Sequence, residues 1–143
     1  MDKKQICIKF SREICDILDI PVPVIKFVSA DRMRTGTQIA ALTPDAVLIR
    51  NDIEVSAELF FALAHELRHA HQIANGESLG EYRTSDKIGV ERYNLQPLEA
   101  DANAFGALVM SEFFGIVPQF HNMPDAVRKA INDRMKQLQK EYT

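Results

Sequence analysis

The chain has no apolar stretch near the roughly 20 residues that span a bilayer, which rules out a membrane-crossing helix. It also lacks a concentrated run of one charge. Its 17 basic and 20 acidic residues are interspersed and sum to −3, so no stripe exists to neutralise a phosphate backbone, and nucleic acid is not expected as a partner. There are no repeats and no low-complexity tracts. Cysteine is reduced to Cys7 and Cys15. On one helix these would lie about 12 Å apart along the axis, too far for a disulfide. They read as small core or surface thiols, in keeping with a reducing compartment. The opening Met-Asp-Lys-Lys carries the charge of a signal peptide without its apolar segment, because Lys9, Ser11, Arg12, Glu13 and Asp16 interrupt the next dozen residues. We therefore expect a helix of the mature protein and a cytoplasmic location, with no membrane partner.

The remaining composition is ordinary for a globular protein: 143 residues, 46% hydrophobic and 26% charged, enough for one core and one domain over residues 1–143. Ile6, Phe10, Ile14, Ile17 and Leu18 recur at spacings of three and four, an amphipathic helix over 5–19 that Pro21 and Pro23 stop. Three β-rich runs come next, at 24–29, 37–42 and 46–50. The short Thr43-Pro44-Asp45 connection predicts that the last two pair antiparallel. A long helix is expected from Ser56 to Asn75, then a polar loop over 76–93, a helix over 94–114 with Pro97 in its first turn, and a final helix opened by Pro124. The order predicts an α+β fold, with a small three-stranded antiparallel or mixed sheet packed against about four helices.

The chemistry concentrates in His65-Glu66-Leu67-Arg68-His69. Residues four apart on a helix differ by about 40° after a full turn, so both imidazoles project from one face and can bind one ion. Glu66 lies about 100° round from His65, beside the metal, where a general base can take a proton from a water that the metal activates. Shuffling this composition produces the spacing only about once in two hundred chains, so its surroundings decide its weight. Phe60, Leu63, Leu67, Ala70 and Ala74 form an expected core face opposite the histidines, with Phe61 on the histidine side and Arg68 at its edge. His71 points away from the ligand face, and Phe113-Phe114 reads as core.

Catalytic zinc sites usually take three protein ligands, and two imidazoles leave one to be found. The Leu98 to Gly106 segment offers Glu99 and Asp101, which point about 160° apart on a helix. Glu99 shares its face with Ala102, Asn103 and Gly106, small residues that let another helix approach. Glu99 is therefore preferred as third ligand, with Asp101 as the alternative. A closed structural zinc site would need four Cys or His ligands, which the chain does not offer near residues 65–99. A deformylase, which takes its third ligand from an upstream Cys in a Gly/Cys motif, finds no such context around Cys7 or Cys15.

His65-Glu66-x-x-His69 followed by Glu99-x-x-Ala102-Asn103 resembles the gluzincin branch of zinc metallopeptidases, and the Glu-Ala-Asp-Ala-Asn-Ala-Phe-Gly run is most similar to the ImmA/IrrE type. The resemblance covers roughly residues 46–112. It implies a zincin-like domain that binds one Zn2+ through His65, His69 and Glu99, with Glu66 as catalytic base and Asn103 supporting a ligand histidine. It also implies a protein or peptide substrate, such as a repressor-like regulator of phage or mobile elements, added to an exposed edge formed by the strand that precedes the metal helix, Ala46 to Arg50. By analogy the oxyanion would be stabilised by Tyr82 or Tyr93, or by His121. The chain departs from the family pattern at Arg68, where a Gly is typical, and at Gly106, which replaces an Ala. The expected function is metalloendopeptidase. The alternative is a regulatory binding module that keeps the fold and the metal without efficient proteolysis.

Overall fold

A computed structural model describes residues 1–77 and 88–142. Helix α1 spans Lys3–Leu18. Its start is a capping box: the Asp2 carboxylate accepts from the Gln5 N–H at 2.8 Å, and the Gln5 side chain accepts from the Asp2 N–H at 3.0 Å. Cys7, Phe10, Ile14, Cys15 and Leu18 are buried on it, whereas Ile17 is 44% exposed. The inward face is thus rotated from the one expected, and both thiols belong to the core.

Strands β1 (Val24–Val28), β2 (Ala40–Leu42) and β3 (Ala46–Arg50) form a mixed sheet in the order β1-β3-β2. Strand β1 runs parallel to β3, with Val24 opposite Ala46, and β2 runs antiparallel to it, with Ala41 opposite Leu48. The Thr43 hydroxyl both donates to the Ala46 carbonyl and accepts from its N–H, each at 3.0 Å, which closes the hairpin through the side chain. The second strand is shorter than the 37–42 run, beginning only at Ala40. The strand expected to offer an open edge, Ala46–Arg50, is instead the centre of the sheet, and β2 is the edge beside the metal-helix candidate. The unbroken Ala-Val-Leu-Ile of β3 is buried throughout, as a central strand requires.

Helix α2 (Ala57–Ala74) is capped by the Ser56 hydroxyl, which accepts from the Leu59 N–H at 3.3 Å. It lies among α1, β2 and the later helix that begins at Pro97, so its buried residues, Leu59, Leu63, Ala64, Leu67, Arg68 and Gln72, surround more of it than a single stripe would; Ala74 is exposed. The helix expected over 94–114 is two: α3 (Val90–Leu95) and α4 (Pro97–Phe114). They part at Gln96 (φ −60°, ψ 137°), since Pro97 disfavours helical geometry in the residue before it. Helix α4 is buried continuously from Glu99 to Met110 and packs against α2 on one side and α5 (Asp125–Glu141) on the other. Phe113 is half-buried, but Phe114 is 43% exposed while stacking on Phe60 at 5.0 Å, so that pair is not wholly core.

Candidate metal centre

The capped start of α2 sets the rotation of residues 65–69, and the contact of α2 with α4 brings the second motif against the first. The carboxylate that meets the two imidazoles is that of Glu99. Its oxygens lie 3.1 Å from His65 Nε2 and 2.6 Å from His69 Nε2, and the two Nε2 atoms are 3.2 Å apart. Donors about 2.0–2.1 Å from one tetrahedral ion stand about 3.3 Å from each other, close to the spacing of the two Nε2 atoms, and Glu99 turns Oε1 to His65 and Oε2 to His69. The three groups are a cluster that could hold a metal ion. Their chemistry fits as well, being two neutral-capable nitrogens and one buried carboxylate, 1% exposed.

The electrostatics are those of a tightly coupled acid and base. Burial opposes ionisation of both Glu99 and His69, but the bonds between them win. The histidines hold Glu99 well below the usual carboxylate range, and Glu99, with help from Glu66 and Gln72, raises His69 to about 9. Glu66 behaves oppositely. Desolvation pushes its carboxyl up, and the charges of His65 and His69 and the backbone N–H of Leu42 offset this only in part.

His65 and Glu99 of the cluster line a cavity of about 540 Å³, together with Glu66, Phe61, Ala40, Tyr93 and Phe120 among others. Phe61 packs its ring 6.3 Å from that of His65 and 5.8 Å from that of Phe120. Gly106 makes this possible, because a Cβ there would lie 2.9 Å from the Phe61 ring. The glycine at position 106 is therefore matched to the aromatic wall of the cavity.

Strand β2 borders the opening. The Arg50 N–H donates to the Ile39 carbonyl at 2.9 Å and the Thr43 N–H to the Ala46 carbonyl at 2.8 Å. With the alternation of an antiparallel ladder, the backbone groups of Ala40 and Leu42 then point away from β3, toward α2.

Asp101 does not meet the imidazoles. It is 7% exposed and faces Arg68, whose Nε and Nη2 donate to its carboxylate at 2.7 and 3.1 Å. Arg134 Nε from α5 and Gln72 Nε2 also donate to it, each at 2.7 Å. Arg68, 4% exposed, is completed by the Tyr142 hydroxyl at 2.9 Å and lies 5.1 Å over the Phe105 ring. Burial disfavours the charges of Asp101 and Arg68 alike, and their mutual bonding outweighs it on both sides. Asn103 is buried and lines the cavity, but its amide donates to Asn94 Oδ1 at 3.3 Å; the side chain bonded to His69 Nδ1 is Gln72, at 2.8 Å. The signal that could have found Gln72 is its spacing, since it lies three residues after His69 on the same helix.

Of the residues considered for an oxyanion, Tyr93 is half-buried at the cavity wall and His121 is exposed and not among the cavity's lining residues, whereas Tyr82 lies outside the described residues. His71 stands off the site, its Nδ1 3.2 Å from the Asn75 amide. Among the described residues no helix is long and apolar enough to cross a membrane. No protein-family model matches the chain, and neither a curated protein nor a solved structure matches it significantly.

Proposed function

We propose that the protein is a zinc metallopeptidase of the zincin type, with His65, His69 and Glu99 as the metal ligands and Glu66 as the general base. The observation that carries this reading is the meeting of one oxygen or nitrogen from each of three ligand-type residues beside a cavity that His65 and Glu99 line, with a carboxyl of raised pKa next to them. When bound, zinc would supply the Lewis acidity that polarises a scissile carbonyl and makes water nucleophilic near neutral pH. The Glu66 carboxylate takes the proton of the attacking water and returns it to the leaving amine. A carboxyl raised above its ordinary range is better matched to that double task than an exposed one. The backbone N–H of Leu42 is among the groups that favour the charged form of Glu66.

An extended peptide substrate adds to the edge of β2, pairing with the outward backbone groups at Ala40, rather than to β3. The cavity wall of Phe61, Phe120 and neighbouring apolar residues excludes water around the bond to be cut. Arg68, a departure from the family pattern, is turned to Asp101 and Tyr142 and is not among the cavity's lining residues, so it gives a non-cleaving binding module no support.

The test compares wild type with Glu66→Gln on a mixed peptide library read by mass spectrometry. Glu66→Gln should keep the same zinc content and fold while cleavage falls by about 10²–10⁴. Equal turnover in the two proteins would refute the role of Glu66.

A further inference from the structure

We infer that Gln72 is the positioning residue for His69, and that the Asp101 ion pair behind it keeps the Gln72 amide oriented to serve. This rests on the reading of His65, His69 and Glu99 as metal ligands and specifies what aims one of them.

An amide side chain can be placed either way round, and its surroundings must choose. Here the choice is forced. Gln72 Nε2 lies 3.0 Å from the Leu98 carbonyl oxygen and 2.7 Å from Asp101 Oδ2. Both can only accept while Asp101 is ionised, so the NH2 group must face them. That leaves Oε1 facing His69 Nδ1 at 2.8 Å. An acceptor there requires the proton on Nδ1, which leaves Nε2, on the side of Glu99 and His65, as the nitrogen whose lone pair a metal ion can take. A reversed amide would set Oε1 against a carbonyl and a carboxylate. It would also donate to Nδ1, moving the proton to Nε2 and removing a ligand.

The arrangement depends on Asp101 keeping its charge and place. Arg68 and Arg134 both hold it, and Arg68 is itself fixed by Tyr142 and Phe105. The proton position on a metal-facing ring is thereby tied to an ion pair that does not line the cavity. This also gives Arg68 a purpose: where a glycine would leave a buried carboxylate short of a cation, Arg68 supplies two donors to it.

The test measures zinc affinity by chelator competition, well below the melting temperature, in wild type, Gln72→Met and the swap Gln72→Glu/Asp101→Asn. Gln72→Met is close in volume and leaves Asp101 with both arginines, so the fold is retained. Its zinc affinity should fall by about ten- to a hundred-fold. In the swap, the glutamate again accepts from Nδ1–H and the new amide at 101 donates to it, so part of the loss should be recovered, although the second carboxylate oxygen loses the bond to the Leu98 carbonyl. A merely structural role would move the melting temperature without this pattern in affinity.

Nitrogen-15 spectra of zinc-loaded wild type should show His69 protonated at Nδ1, which serves as the deciding measurement should the swap fail to fold. Equal affinity in wild type and Gln72→Met, or a His69 unprotonated at Nδ1, would overturn the inference alone. A wild type that binds no zinc would refute the metal-centre reading and this inference with it.

Discussion

Replacing Asp101 by alanine removes the one carboxylate shared by Arg68, Arg134 and Gln72. The cost is set by the groups left behind. Arg68 keeps the Tyr142 hydroxyl and the Phe105 ring face but stays 4% exposed with an uncompensated charge. Removing one partner of such a buried pair costs about 3–5 kcal/mol, a large fraction of the roughly 5–15 kcal/mol by which domains are stable. Arg134 is better hydrated, and it retains Gln137 Oε1 at 2.8 Å, so its share is smaller. With a urea m-value of about 2 kcal/mol/M, the unfolding midpoint should fall by about 1.5–2.5 M.

The control is Arg68→Met/Asp101→Leu, which removes both charges and should return to within about 1 kcal/mol of wild type. The pH dependence has a definite sign. Burial favours the neutral Asp101, its donors outweigh burial and hold the carboxyl below its ordinary value, so its contribution is present above about pH 4 and is lost as pH falls further. The gap between wild type and Asp101→Ala should therefore be level from about pH 6 to 8 and close in acid, within the roughly two-unit span such shifts cover. A midpoint shift below about 0.5 M at neutral pH would refute the argument that this ion pair holds α2, α4 and α5 together.

Three further outcomes are expected. Gly106→Ala gains about 1 kcal/mol of helix propensity but drives a methyl to 2.9 Å from the Phe61 ring; the ring, which lines the cavity, must shift, so peptide cleavage should fall more than the melting temperature does, and unchanged cleavage would contradict the packing. Cys7 and Cys15 are both buried, and burial raises the Cys15 thiol to about 11. Both should resist a thiol reagent in the native protein and react on unfolding, and the stability they lend should be full below about pH 9 and decline as pH rises toward about 11. Ala40→Pro removes an N–H from the outward edge of β2 without touching the ladder to β3, so KM for an extended peptide should rise with zinc content unchanged; an unaltered KM would argue against pairing at that edge.

Local chemistry explains where the sequence was readable. Helix α2 ends within a residue or so of the bounds that Ser56 and Asn75 suggest, and β3 coincides with the Ala46 to Arg50 run, because caps and turns act on neighbours along the chain. Strand order is not local, and the expectation of an edge at β3 overlooks its uninterrupted apolar run, the mark of a strand covered on both sides. The break at Gln96 was written in Pro97, which restricts the residue before it. In the site, spacing put His65 and His69 together and small residues favoured Glu99 over Asp101. The destination of Arg68 was beyond reach, because its partners come from α4 and from the residue just past α5, 33 and 74 positions away. Resemblance assigns Asn103 to support a ligand histidine, and the position is filled by Gln72 because the glutamine is on the histidine's own helix, within one turn of its ring.

The central claim is that His65, His69 and Glu99 form one metal site. Its most direct test is the zinc content of purified wild type beside Glu99→Ala after dialysis against a fixed free zinc concentration. One ion per chain in wild type and none in folded Glu99→Ala is the predicted result. No bound ion in wild type, or an equal content in both proteins, would contradict it.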